Sequence, residues 1–399
     1  MPKWKPAEIM IHPKVIDDPI AESLHKRYGK LQRNVPTGRS TDIVQASHVL
    51  VKGAPFLKTI EKGKTVVYVG PAGKAVDDFN IPDNRMICPH FSRIKWASNG
   101  CFYRCDWCYL KGTYRANQPY IAVRVQYDKM EAQLQKRLEE ADGPLLFNSG
   151  EMADSLSLDG LTRAAEHFIP WFAKQKKGYL FLLTKSANVN RILDLPHGKH
   201  TIVAWSMNAP EVSKMFEVGA PTFKRRLEAA LRVQDAGYRV RIRLDPIVPI
   251  DGWPEMYARA IDDIFRTIAP ERITLGTLRF EAQFYRARRR IVSDALLKQM
   301  ANMKPMFRDK KFTVPKGNKM VTRTKSGKYS FSEKERTDIF GFAIGEIRKH
   351  SKKIPIALCK ESAGVWNALG LDLSRCKCVC QLDYADMSKP SRAKSKSKR

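Results

Sequence analysis

The chain is short of negative charge. Its 399 residues include 41 Asp and Glu against 71 Lys and Arg, for a formal net charge of +30. An excess spread along the whole chain points to a polyanionic partner. Nucleic acid comes first, because cations that neutralise phosphates release condensed counterions; a generic solvated cationic face is the plain alternative. Long apolar runs are also missing. Nothing approaches bilayer-spanning length, and the basic start Met1-Pro2-Lys3-Trp4-Lys5 lacks the apolar stretch of a signal peptide. These absences exclude a membrane role and predict a cytoplasmic protein. Cysteine is sparse, with eight residues, too few for a disulfide framework at this length. In a reducing compartment, clustered cysteines read as metal ligands or redox groups.

Three of them lie together, in Cys101-Phe102-Tyr103-Arg104-Cys105-Asp106-Trp107-Cys108-Tyr109, with spacing C-x3-C-x2-C. Thiolate is the ligand form of cysteine, and several thiolates in one loop need a positive centre to offset their repulsion. A structural zinc site is closed by four ligands, and this loop offers three unless Cys88 or His90 completes a zinc knuckle. A [4Fe–4S] cluster on three cysteines instead leaves one iron open for substrate or cofactor. The spacing, followed by an aromatic residue, resembles the signature of radical S-adenosylmethionine (radical SAM) enzymes.

From residue 93 onward strands and helices alternate. Apolar β-rich runs at 93–98, 144–148, 179–184, 201–205, 239–244 and 272–278 are separated by amphipathic stretches, clearest at 128–141, 161–174, 222–236 and 255–268. That pattern predicts an α/β fold with a parallel sheet of six β/α units. Every strand exit is polar: the cysteine loop, Glu151, Lys185, Ser206 with Asn208, Asp245 and Arg279. Active sites of parallel barrels form at that edge. The expected organisation is an N-terminal extension (1–87), the barrel unit (88–300), a C-terminal region (301–387) and a disordered basic tail (388–399) made only of Ser, Lys, Arg, Pro and Ala. Phe284-Tyr285 before Arg286-Ala287-Arg288-Arg289-Arg290 suits a stacked base beside a phosphate backbone, with a solvated helix face as the competing reading. Residues 303–330 read as a basic hairpin or loop. The C-terminal region carries Cys359, Cys376, Cys378 and Cys380. These have three readings: a second cluster or zinc site, a hydrogen-atom donor, or buried structural thiols.

Over roughly 88–279 the sequence resembles a specific group of radical SAM enzymes, the spore photoproduct lyases. The resemblance covers residues 101–110, Thr113-Tyr114, Gln118-Pro119-Tyr120-Ile121, Asp154, Asp159 and Thr184-Lys185. It is densest at Ser206-Met207-Asn208-Ala209, Phe216-Glu217 and Lys224-Arg225-Arg226-Leu227-Glu228-Ala229-Ala230, and ends with Ala236-Gly237-Tyr238, Pro246-Ile247 and Gly252-Trp253. It implies a partial (β/α)6 radical SAM barrel, a [4Fe–4S] cluster on Cys101, Cys105 and Cys108, SAM at the open iron, and an external electron donor. It places Lys185, Ser206 and Asn208 on SAM and Tyr109 beside it. Glu151 is suited to accept from the SAM ammonium group. The implied chemistry is hydrogen abstraction from a thymine-derived base in DNA by a 5′-deoxyadenosyl radical.

Two departures bear on that chemistry. The lyases carry a hydrogen-donating cysteine three residues before the position of Asp154, where this chain has Glu151. They carry tyrosine between the last two cluster cysteines, where this chain has Trp107. A carboxylate has no hydrogen atom to give. Either a C-terminal cysteine such as Cys359 takes the role, or the product radical recovers its hydrogen from 5′-deoxyadenosine. The reading placed first is therefore an isomerase that rearranges a modified thymine in DNA hypermodification, a chemistry met in viruses, where the host cytoplasm would be its location. A repair lyase comes second, and a non-enzymatic metal-containing nucleic-acid-binding protein third.

Overall fold

The structure is a computed structural model that describes residues 4–34, 49, 56–79, 85–112, 114, 118–307, 310–316, 319–325, 328–373 and 378–382. Thr113, Cys376 and the basic tail at 388–399 lie outside the described residues.

The six expected strands form and lie side by side in chain order: β1 (Phe91–Ile94), β2 (Leu145–Asn148), β3 (Gly178–Thr184), β4 (Thr201–Met207), β5 (Arg239–Ile247) and β6 (Ile273–Thr277). A seventh, β7 (Ile356–Leu358), comes from the C-terminal region and pairs parallel with β6. The sheet is open. Its β1 edge is extended by Val76–Phe79, which runs antiparallel to β1. β4 is buried at every residue, as expected of a parallel strand covered on both faces. The connecting helices Tyr127–Glu139, Ala164–Ala173, Phe223–Asp235, Trp253–Thr267 and Glu333–His350 bury apolar stripes on it: Met130, Leu134 and Leu138 in the first, Tyr257, Ala260, Ile261 and Ile264 in the fourth. No helix crosses from β3 to β4. Thr222 starts the third helix by accepting from the Arg225 amide, and Ser332 with Glu335 forms a reciprocal cap at the start of the last.

The predicted strand at 93–98 divides. Phe91–Ile94 belongs to the main sheet, whereas Ala97–Ser98 turns into a second sheet and pairs antiparallel with Ile121–Arg124. That sheet contains Glu8–Ile11, Gln32–Asn34 and Val66–Gly70, so the N-terminal residues form a layer joined to the cysteine loop's own flank. Residues 310–316 and 319–325 pair as an antiparallel hairpin. The two aromatics before Arg286–Arg290 are not open for a base, although Arg286, Arg289 and Arg290 are exposed: Tyr285 is stacked on Tyr329 with centroids 4.0 Å apart, Arg288 covers the Tyr285 ring at 4.0 Å, and Phe284 is buried.

On β5, Arg239, Arg241, Arg243 and Asp245 alternate with buried Val240, Ile242 and Leu244. The charged row turns to the face where the C-terminal segment lies. Arg241 Nη1 donates to the carbonyls of Val379 and Gln381, both at 2.6 Å. Arg272 Nη1 donates to Cys378 and Gln381 carbonyls at 3.1 and 3.2 Å. Thr274 Oγ1 accepts from the Val379 amide at 2.9 Å.

Candidate active site

The strand exits surround one cavity of about 500 Å³. Cys101, Cys105, Cys108, Tyr109, Glu151, Lys185 and Ser206 all line it. The structure therefore brings together seven of the residues singled out from the sequence, though they span more than a hundred positions of chain.

The cysteine loop is fixed on three sides. Gly100 bridges to Ala153 beyond β2, and its amide donates to the Met152 carbonyl at 3.2 Å. A Cβ at Gly100 would come within 2.5 Å of Ala97 Cβ and 2.8 Å of Ala153 Cβ, so the close approach requires glycine. Arg104–Cys105 pairs antiparallel with Glu217–Val218, and the Asp106 amide donates to the Phe216 carbonyl at 2.7 Å. From the N-terminal layer, Lys64 Nζ donates to the carbonyls of Tyr103 and, at 3.2 Å, Cys101. Trp4 stacks on Phe102 at 4.5 Å.

Behind the loop lies a buried charge cluster. Glu217 and Arg226, both with fully buried side chains, pair at 2.5 Å. Glu217 also faces Lys185 Nζ at 3.6 Å and accepts from Ser213 Oγ at 3.0 Å. Burial pushes the Glu217 carboxyl up, but Arg226 and Lys185 more than offset this and hold it below the usual carboxylate range. Lys185 Nζ donates to Ser206 Oγ at 2.9 Å. Asp154 sets the β3 exit: it accepts from the Lys185 amide at 2.7 Å and from Thr184 Oγ1 at 2.6 Å.

The far wall is cationic. Arg243, Arg279, Lys328 and Lys360 line the cavity with Asp245, Glu281 and Glu151. Asp245 Oδ2 accepts from Arg243 Nη2 at 2.6 Å and Arg279 Nη2 at 2.8 Å. Burial alone would raise the Asp245 carboxyl, but the two guanidiniums hold it far below the carboxylate range. Glu151 pairs with Lys360 at 3.1 Å, and Lys328 with Glu281 at 2.7 Å. Sequence reasoning passed over Lys64, Arg243, Lys328 and Lys360. The alternation of Arg239, Arg241, Arg243 and Asp245 was a usable signal, and Lys360 adjoins Cys359. Nothing local marks Lys64 or Lys328.

Two expected site residues lie elsewhere. Asn208 is buried and outside the cavity lining: its Nδ2 donates to the Pro246 carbonyl at 2.8 Å, and its Oδ1 accepts from the Tyr257 hydroxyl and the Ala209 amide. It holds the β4 exit against β5 and does not reach the cavity. Cys359 is buried behind the wall, where its sulfur accepts from Arg243 Nη2 at 3.0 Å. The next residue, Lys360, is the one that reaches the cavity.

The residues fit a cluster and SAM. Burial pushes the Cys101 thiol well up and the Cys105 thiol up to about 12, despite nearby Lys64 and Lys185. Such thiols become thiolates when a cationic centre binds them. Among the described residues no three donors close on one point to hold a single ion. A three-cysteine cluster does not need that, since each thiolate takes a different iron.

A family description of spore photoproduct lyase matches residues 4–349. The chain belongs to the spore photoproduct lyase family. It is a radical SAM enzyme. The spore photoproduct lyase of Geobacillus sp. (strain Y412MC61) is 26% identical over 346 residues, covering 85% of this chain and 94% of that one. That of Bacillus subtilis (strain 168) is 26% identical over 260 residues, 65% of this chain and 72% of its own. Among solved structures, a spore photoproduct lyase complexed with dinucleoside spore photoproduct superposes with a TM-score of 0.69 at 22% identity, covering 90% of this chain and 100% of that chain. A variant with bound AdoMet and dinucleoside spore photoproduct gives 0.68. These superpositions establish the shared fold. The family match favours the lyase reading, placed second in the sequence analysis, over the isomerase reading placed first.

Proposed function

We propose that this chain is a DNA lyase of the spore photoproduct type, acting on a thymine-derived lesion. Cys101, Cys105 and Cys108 would hold a [4Fe–4S] cluster with SAM at its open iron, which when reduced would supply the radical chemistry that removes a hydrogen atom from the base. The observation that carries the reading is the cavity itself: the cysteine loop, Lys185 and Ser206 open on the same space as Arg243, Arg279, Lys328 and Lys360. Lys185 is the cation for the SAM carboxylate, with Ser206 and the Glu217–Arg226 pair holding it in place. The four cations opposite suit the phosphate of a dinucleotide. Tyr109, half exposed at the cavity, borders the cofactor space.

One observation favours a second reading. Glu151 stands where the lyases keep their donor cysteine and is ion-paired with Lys360. A carboxylate cannot quench a carbon radical, which fits a rearrangement in which 5′-deoxyadenosine returns the hydrogen. Reduced, reconstituted protein incubated with SAM and dinucleoside spore photoproduct tests the lead reading: conversion to the thymine dinucleotide supports it, and SAM cleavage without conversion overturns it. In deuterated water, heavy labelling of product shows a solvent-exchangeable hydrogen donor, and loss of that label in Cys359→Ser tests whether that thiol supplies it. Unlabelled product with normal turnover in that variant points to hydrogen return from 5′-deoxyadenosine.

A further inference from the structure

Four cysteines from three separate parts of the chain meet behind the active-site wall. Cys88 precedes β1, Cys359 follows β7, and Cys378 and Cys380 lie on the segment that Arg241 and Arg272 hold against the sheet. All four line one small space of about 10 Å³, together with Asn148, Glu151, Arg243 and Lys360, and none lines the main cavity. The Cys378 and Cys380 sulfurs are 3.2 Å apart. None of the four is in a disulfide.

We propose that Cys88, Cys359, Cys378 and Cys380 form a second metal site, an all-thiolate centre for one soft divalent ion. Of the oxygen-bearing side chains beside them, Glu151 is ion-paired with Lys360 and the Asn148 side-chain oxygen accepts from the Gly150 amide; four sulfur donors select zinc first, with a single iron as the other occupant of the same chemistry. The space of about 10 Å³ is on the scale of one ion rather than of a four-iron cluster. Four thiolates on a dication leave net negative charge, and Arg243 and Lys360 stand beside it to offset that. The thiols do not converge to ligand spacing, and neither do Cys101, Cys105 and Cys108; among the described residues no three donors do. Thiolates without a cation repel, so the ion itself draws them in. The ligand set adds Cys88 to the C-terminal group read from the sequence, of which Cys376 lies outside the described residues. The centre pins residues 378–382 to the sheet and fixes Lys360, the neighbour of Cys359, opposite Glu151.

Metal analysis of the full-length protein, purified anaerobically with zinc and iron supplied, tests the site. The wild type is expected to hold about one equivalent of metal beyond the irons of the radical SAM cluster. Protein carrying Cys101→Ala, Cys105→Ala and Cys108→Ala is expected to keep that equivalent and to lose it when Cys378→Ser and Cys380→Ser are added. Zinc or a single iron in the site both support the proposal. Cobalt(II) loaded into the Cys101/Cys105/Cys108 variant should give thiolate-to-cobalt charge-transfer and tetrahedral d–d bands. Should that variant not fold, the wild type still decides: Cys88, Cys359, Cys378 and Cys380 should resist alkylation until a chelator is added. Wild-type protein with no metal beyond its cluster, and with these four thiols alkylated equally with and without chelator, overturns the proposal.

Discussion

Replacing Arg226 with Met should cost the fold more than any surface change. The guanidinium has no exposed side-chain surface and holds four partners: Glu217, the Ser206 and Pro221 carbonyls, and Ser213 Oγ. Methionine fills much of the space but takes the closest cation from the buried Glu217 carboxylate, leaving it Lys185 at 3.6 Å and the Ser213 hydroxyl. Removing one partner of a buried pair costs about 3–5 kcal/mol. With an unfolding entropy of roughly 2.1 cal/mol/K per residue, a chain of this length loses about 1 °C per kcal/mol, so Tm should fall by ~4–6 °C. Thermal melts of anaerobic protein measure this directly. Adding Glu217→Gln removes the stranded charge, so the double variant should recover at least half of the loss. Its SAM affinity should still fall, because Lys185 has lost its anion. A single variant melting within about 1 °C of wild type, or a double variant melting lower than the single, would refute the reasoning.

Lys185→Met should weaken SAM binding at least tenfold, the loss of one charge-assisted contact worth about 1.5–3 kcal/mol; Asn208→Ala should lower stability by about 1–3 kcal/mol through Tyr257 and Pro246 and leave SAM affinity within about twofold, both read by calorimetry. Gly276→Ala places a Cβ 2.2 Å from Asp245 Oδ1, so it should break the Arg243–Asp245–Arg279 wall; SAM cleavage without substrate should persist while turnover of the dinucleoside falls at least tenfold. Burial raises the Asp159 carboxyl to about 6, partly offset by the Ala165 amide that it accepts from. A carboxyl raised on folding stabilises fully below its unfolded value and loses that contribution as pH rises through the folded one, here roughly 2–3 kcal/mol. Melts of Asp159→Asn should therefore lie above wild type at about pH 8 and converge with it near pH 4; a lower melt at pH 8 would sink this assignment.

The parallel sheet was legible because buried strands of this type read as apolar runs bounded by polar exits, and β2 to β6 each show that pattern. The cysteine spacing singled out a loop that lines the cavity without help from the fold. β7 was not legible: its three residues, Ile356, Ala357 and Leu358, are too short a run for periodicity to register. The break of the 93–98 run was invisible for a related reason. Residues on either side of Lys95 favour extended backbone equally well in either sheet, and tertiary pairing chooses between them. The place of Asn208 outside the cavity lining was not legible, because an amide at a strand exit reads alike whether it faces a ligand or ties two strands. Lys64 and Lys328 could not be found locally, since their roles arise from contacts with distant segments.

The placement of β7 sets an order of events during synthesis. The cluster loop, Lys185 and Ser206 leave the ribosome early and can close around one another while the sheet still ends at β6. The strand that carries Lys360 into the cavity joins only after most of the chain is made. A nascent chain can thus bring the cysteine loop, Lys185 and Ser206 together before Lys360 completes the wall begun by Arg243, Asp245 and Arg279. Radical generation in that interval would have no partner to quench it. A chain lacking the last strand should be the form most prone to cleave SAM without productive turnover.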